Sequence, residues 1–543
     1  MILVWKAHRG AGSAFRLAAL AVTMSALAIT GAAAAPTAKE ADASPALTMP
    51  KPAPDVVTRI SERPLRVEDV ASAKRFVSQH ATHIRGKDIK YRAVAGETYI
   101  TNLYGEPTAS IFSFSYLVDA PASRDRPVMF VFNGGPGSSS FWLHMGVVGP
   151  RRVVLDREIN PSNLPPFGYQ DNDLSPLDVA DLVFVDPVGT GFSHAVGNAK
   201  ASDFYGVEED ADANARFIEA WLTEHGRWNS KKFLMGESYG GTRAAVMPRA
   251  LMGGPFFGGT LRGITIDGIV MVSPSLSPTL APDTSAMATA LDLPTLAVTA
   301  WYHGRVARDG RSAGQFYEDV KRFGATDYKD ALERLAKGQL SAAGKSAVAA
   351  RLAALTGVAA DEWERRDLRL PVGEFRKLLL GKQGLEAGAY DSRYTMPLAN
   401  SGRDPVADDP AMGKYSPGFV AAFHQMLRNE LGVSMPIPYN FITWADVNFG
   451  WRWNRPAGGP DATPVRDLAM AMRRTEGMRL MVASGLYDFV TTPADAEHDL
   501  AGGNLPRDRV FLRNYESGHM LYLGDTAEAF ANDVRALIEN KLR

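Results

Sequence analysis

The sequence predicts an α/β fold, a mostly parallel central sheet with a largely helical cap insertion, and three observations carry that prediction. Five continuous apolar runs, Val128 to Phe132, Leu182 to Val185, Phe233 to Met235, Ile269 to Val272 and Leu480 to Ala483, have the pattern of strands buried on both faces, as in a parallel sheet. The stretch from Phe204 to Glu224, with Phe217, Ile218, Trp221 and Leu222 at helical spacing, separates the second run from the third, as a right-handed crossover requires. Between Ser277 and Tyr439 the strand rhythm stops. Helical stretches replace it at Tyr317 to Phe323, Ala331 to Leu335, Val348 to Leu355 and Phe419 to Leu431.

From the amino end, Lys6, Arg9 and Arg16 precede the apolar stretch Leu17 to Ile29, which runs into Gly31-Ala32-Ala33-Ala34-Ala35-Pro36. This is the charged, apolar and small-residue order of a secretory signal peptide, so residues 1–34 are expected to direct export to the periplasm or the medium. Pro36 disfavours a cut directly before it, which places cleavage after Ala34. The rival reading, an uncleaved anchor, reaches the roughly 20 residues that span a bilayer only if the alanine tail is counted. Pro, Ala and Thr dominate Thr37 to Pro54 and predict a flexible linker over 35–55. Residues 56–276 then form the first part of the sheet domain, 277–439 the helical cap over the sheet's carboxyl end, and 440–543 the second part. Period-two alternation in Ile89 to Val94 and Ile111 to Tyr116 predicts antiparallel strands at the sheet edge, and Val510 to Arg513 adds a late strand.

The 543 residues, 45% apolar, are enough for a large core. Loss of residues 1–34 removes three positive charges and no negative ones, taking the net charge from −1 to −4. Basic residues are scattered among acids, so neither nucleic acid nor, after signal cleavage, a membrane is an expected partner. Cysteine is absent, which excludes disulfides and a thiol nucleophile. His80 and His83 lack carboxylates at metal-site spacing, and Asp210-Ala211-Asp212-Ala213-Asn214 lacks the glycine and closing glutamate of a calcium loop. No metal is expected, and Asp210 to Asn214 has the composition of a solvated helix start.

Gly236-Glu237-Ser238-Tyr239-Gly240 lies between the strand Phe233 to Met235 and the helical pattern that begins near Thr242. A serine on such a sharp turn is lifted clear of the sheet and faces the positive end of the new helix, the setting of a nucleophile. Catalysis then needs a base, a carboxylate to orient it, and two N–H groups for the oxyanion. Asp488 ends the strand from Leu480, and His519 follows the Val510 strand in the loop Glu516 to Met520; the order Ser, Asp, His is that of α/β-hydrolases. Of the two histidines after Asp488, His498 falls on the solvated side of a helical pattern, which leaves His519 as the base. Asn133-Gly134-Gly135-Pro136-Gly137-Ser138-Ser139-Ser140 follows the Val128 strand and supplies backbone that can approach a ligand closely. No Gly-Lys-Ser/Thr follows it, which speaks against a phosphate loop, and the expected oxyanion donors are the N–H groups of Gly135 and Tyr239.

Four segments, Asn133 to Gly137, Asp186-Pro187-Val188-Gly189-Thr190-Gly191-Phe192-Ser193, Gly236 to Gly241 and Gly518-His519-Met520, together resemble the serine carboxypeptidase family, in a bacterial form. The resemblance implies an α/β-hydrolase fold, a Ser238-His519-Asp488 triad, and release of single residues from the C-termini of peptides or proteins without a metal or organic cofactor. It implies that Asn133, Gly134 and Glu237 bind the substrate carboxylate. A carboxyl beside an anion can do this only when protonated, as a hydrogen-bond donor. The chain departs from the family's pattern at Val131, where a tryptophan is usual, at Ser138, where the family has cysteine, and at Val147, where it has a second glutamate. Without that second acid the expected rise in the Glu237 pKa loses its main cause, and Glu516 in the histidine loop is the available substitute. A proline iminopeptidase, an esterase or acyltransferase on the same fold, and a catalytically silent periplasmic peptide-binding protein remain the alternatives.

Overall fold

The structure is a computed structural model that describes residues 72–103, 105–119, 125–157, 159–254, 260–276, 284–456 and 462–543. The expected signal peptide and linker lie outside the described residues. The apolar runs assemble into one ten-stranded sheet. Its strands are β1 (Arg75–Ile84), β2 (Lys87–Thr101), β3 (Pro107–Val118) and β4 (Val128–Phe132); a separate hairpin of β5 (Arg151–Val154) and β6 (Gly168–Asp171) follows, before β7 (Asp181–Val185) and β8 (His194–Ala195). Then come β9 (Lys232–Glu237) and β10 (Gly268–Val272), a second hairpin of β11 (Leu385–Ala387) and β12 (Thr395–Pro397), and finally β13 (Arg479–Gly485) and β14 (Val510–Tyr515).

The sheet order is β1-β2-β3-β7-β4-β9-β10-β13-β14, with β8 paired to β3. From β7 to β14 every pairing is parallel, while β1, β2 and β3 form an antiparallel edge, as the two kinds of sequence pattern predict. All residues of β4, β7, β9 and β10 are buried. Alternate side chains feed opposite faces: Met129 and Val131 join one apolar cluster, and Val128, Phe130 and Phe132 the other.

The crossover helix α1 (Val207–His225) covers the second face with Phe217, Ile218, Trp221 and Leu222, and the Phe130 ring meets the Trp221 edge at 5.3 Å. Acidic Glu208, Glu209 and Asp210 occupy its first turn, where they favour the helix dipole, and Gly226 closes it at φ 63°. The sequence places Asp210 and Asn214 in water, but both side chains are buried, Asp210 against an arginine described below. Helix α2 (Tyr239–Met252) follows β9 directly.

Between β10 and β13 the chain is mainly helical, with α3 (Ala286–Tyr302), α4 (Ala313–Phe323), α5 (Lys329–Ala336), α6 (Ala342–Thr356), α7 (Ala360–Arg365), α8 (Val372–Leu380) and α9 (Met412–Asn429). The first six of these bury a cluster of their own around Leu293, Phe316, Leu332, Leu352, Trp363 and Phe375. Past α9 the chain returns to the glycine loop, where Ser139 N–H donates to Phe441 O (3.0 Å) and Thr443 N–H to Gly137 O (2.7 Å).

One buried base ties fold stability to pH. His144, in a π-turn after the glycine loop, stacks on Phe184 at 4.0 Å and shares a 2.6 Å hydrogen bond with the Tyr116 hydroxyl. Burial pushes its pKa down to about 3. The unfolded chain takes up this proton below about pH 6.5, so the contribution is complete above that value and is lost as pH falls toward 3. His144→Phe should therefore remove about 1.4 kcal/mol per pH unit of acid-side slope, read from urea unfolding between pH 6.5 and 4. An unchanged slope would contradict the assignment.

Candidate active site

Strand β9 ends at Glu237, and the chain turns at once into α2 through Ser238, whose φ of 61° and ψ of −126° lie outside the regions that L-residues favour. Holding a non-glycine residue there costs about 1 to 3 kcal/mol, and the surroundings enforce it. Ser238 N–H donates to Val272 O of the neighbouring strand, and Ser238 O accepts from Gly241 and Ser275 N–H. The turn is tight enough that a Cβ on Gly236 would lie 1.9 Å from Gly240 O. The Ser238 hydroxyl makes no cap to its own helix, and the residue is partly exposed.

Two strands along, β13 delivers Asp488 and the loop after β14 delivers His519. His519 Nδ1 and Asp488 Oδ2 are 2.7 Å apart, and both residues are buried. Asp488 is held by further donors: Val490 N–H (2.7 Å) and Thr491 N–H (3.1 Å) on Oδ1, and the Thr491 hydroxyl (2.7 Å) on Oδ2. The Thr491 hydroxyl also reaches Ser273 O at 2.9 Å, which ties the aspartate loop to the end of β10 beside the serine turn. His519 N–H donates to Tyr390 O (2.6 Å), and the Tyr390 ring stands edge-on to the imidazole at 5.3 Å. Burial pulls the His519 pKa down, but the Asp488 carboxylate outweighs it and leaves it above the ordinary value. Among the described residues no hydrogen bond joins the Ser238 hydroxyl to His519; such bonds are often long until substrate is in place.

The glycine loop lies against this turn. A Cβ on Gly134 would sit 2.5 Å from Tyr239 N, so only glycine permits the approach. Ser138 N–H closes the loop on Gly134 O (3.0 Å), and Asp186 accepts from both the N–H and the hydroxyl of Ser140 at 2.9 Å. Asp186 lies in a segment quoted for the resemblance, and its buried carboxyl is raised to about 6 by burial. Among the described residues the N–H groups of Gly135 and Tyr239 have no acceptor in the protein.

Asn133 and Glu237 meet: Asn133 Nδ2 donates to Glu237 Oε2 at 3.0 Å, while Asn133 Oδ1 accepts from Leu143 N–H at 3.1 Å. The second partner of Glu237 is one the sequence does not reveal. The Tyr522 hydroxyl donates to the same Oε2 at 2.7 Å. Burial raises the Glu237 pKa to about 7, against the opposing pull of His519 and the two donors. The rise therefore needs no second acid, contrary to the expectation drawn from Val147. Val147 is buried in the π-turn, and Glu516 is exposed, with its carbonyl accepting from Arg393. Tyr522 and Thr491 carry no motif letter; each follows a recognised residue by three positions in a loop, where no periodicity marks it.

Residues 100–317 match the family described as serine carboxypeptidase. Over that segment, which holds the glycine loop and the serine turn, the chain is similar to the serine carboxypeptidase family. Among curated relatives, the pheromone-processing carboxypeptidase KEX1 of Leptosphaeria maculans is 34% identical over 151 residues, 27% of this chain and 21% of that protein. Serine carboxypeptidase-like 27 of Arabidopsis thaliana is 34% identical over 136 residues, 24% of this chain and 27% of that protein. The chain thus matches less than a third of the length of either relative. Among solved structures, a prohormone-processing carboxypeptidase from Saccharomyces cerevisiae, Kex1(delta)p, superposes with a TM-score of 0.51 at 14% identity, covering 83% of this chain and 91% of that one. At that identity the likeness speaks for the fold, an α/β hydrolase.

Proposed function

We propose that the protein is an exported serine carboxypeptidase that hydrolyses the last peptide bond of a chain through an acyl-enzyme on Ser238. The observation that carries this reading is the buried Glu237 beside the serine turn. Its Oε2 already accepts two hydrogen bonds, from Asn133 and Tyr522, and its pKa stands near 7. A proton on this carboxyl then belongs on Oε1, which becomes a donor to an incoming carboxylate. Without that proton two anions would face each other in a buried site, a strongly unfavourable pairing.

Asn133 and the Gly134 N–H complete the carboxylate site. With the C-terminus fixed there, the scissile carbonyl lies over Ser238. His519 Nε2 takes the serine proton as Oγ attacks the carbonyl carbon, and Asp488, on Nδ1, stabilises the imidazolium that forms. The N–H groups of Gly135 and Tyr239 bind the oxyanion. Collapse of the tetrahedral intermediate breaks the C–N bond as His519 returns its proton to the leaving amine. Water, activated by the same histidine, then releases the acid and restores the serine. The helices of 286–380 and the Tyr390 loop would shape the side-chain pockets. Export rests on the leader at the amino end; no helix among the described residues is long and apolar enough to cross a membrane.

Two measurements test this. Incubation with a peptide mixture, read by mass, should give ladders shortened from the carboxyl end and much slower cleavage of C-terminally amidated twins; shortening from the amino end would point to an iminopeptidase instead. Asp488→Asn should keep the fold and lower kcat by about 10⁴-fold, because the amide favours the wrong imidazole tautomer. Activity within tenfold of the wild type would remove Asp488 from the triad.

A further inference from the structure

One buried arginine has no part in the chemistry above, yet it reaches the glycine loop. Arg243, in the second turn of α2, is 1% exposed. Its Nη1 donates to the Asn133 carbonyl at 2.5 Å. Its Nε and Nη2 donate to the two carboxylate oxygens of Asp210 at 2.7 and 3.3 Å. The guanidinium carbon lies 5.2 Å from the Tyr239 ring centroid and 5.8 Å from that of Phe132. Asp210, reaching in from the first turn of α1, is held in turn by Asn214 Nδ2 at 3.0 Å.

Taking both charges of such a pair out of water is costly, and a buried ion pair is a weak source of stability, so its position calls for another reason. The Asn133–Gly134 peptide is planar and trans, which sets its C=O and N–H in opposite directions. The guanidinium that fixes the Asn133 carbonyl therefore also fixes where the Gly134 N–H points. Asn133 is thus held at three points, by Arg243 on its carbonyl, Leu143 on Oδ1 and Glu237 on Nδ2.

We infer that Arg243, seated on Asp210, is a positioning residue for recognition of the substrate's terminal carboxylate, which it serves by holding the Asn133 carbonyl. The inference rests on the carboxypeptidase reading. A lysine cannot replace the arginine, because one ammonium does not offer the fixed fork that reaches Asp210 and Asn133 together.

The test compares kcat/KM on a free-acid peptide and on its C-terminally amidated twin. Two variants are measured, Arg243→Lys and the charge-neutral double variant Arg243→Met/Asp210→Asn, the second avoiding an unpaired buried aspartate. In both, kcat/KM on the free acid should fall about tenfold or more, chiefly through KM, while the amidated twin changes less than about threefold. Equal loss on both peptides, or a preference for the free acid as strong as in the wild type, would overturn the inference. A wild type that shows no such preference would instead overturn the carboxypeptidase reading, so the two failures are distinguishable.

Discussion

Replacing Ser238 with alanine is expected to lower kcat by about 10⁶-fold while peptide binding persists. The carboxylate site proposed at Asn133 and Glu237 does not include the serine hydroxyl, and that hydroxyl makes no cap to α2, so its removal leaves the surrounding hydrogen bonds in place. His519→Ala should cost about as much, and the double variant little more than either alone, because nucleophile and base act as one unit. An active-site phosphonate should label the wild type at Ser238 and leave the alanine variant unlabelled. Multiplied losses in the double variant would show that the two residues act independently.

The second large effect is on pH dependence. Burial holds the Glu237 pKa near 7, so the carboxyl is protonated and able to donate below that value and anionic above it. For a free-acid peptide, kcat/KM should fall by about tenfold per pH unit on the alkaline side. His519 must be neutral to act as a base and has its own pKa raised by Asp488, so activity also falls on the acid side. Glu237 and His519 feel each other's charge, so the two limbs belong to the pair. Glu237→Gln keeps a donor that cannot ionise and should flatten the alkaline limb while the acid limb stays. An alkaline limb unchanged in this variant would place its cause elsewhere.

The strands of the sheet and the serine turn could be read from the chain because their signals are local: apolar runs, helical spacing, glycines at a sharp turn. The alignment of Asp488 with His519 followed from strand ends in sequence order. What escaped depends on partners far along the chain. Asp210 has the look of a solvated helix start, since the arginine that buries it stands 33 positions later. Val147, standing where a second carboxylate is expected, removes the sequence's reason for a raised Glu237 pKa, whereas burial supplies that rise, and the hydroxyl of Tyr522, 285 positions away, completes the surroundings of Glu237. No pattern of period two or 3.6 encodes such meetings.

The most direct measurement is the ratio of kcat/KM for a peptide acid to that for its amide, followed from pH 5.5 to 8.5. Two hydrogen bonds to a charged group imply a ratio of about a hundredfold or more while Glu237 keeps its proton, falling as pH rises through about 7. A ratio near unity, or one that does not change with pH, would contradict the reading of Glu237 and Asn133 as the recogniser of peptide C-termini.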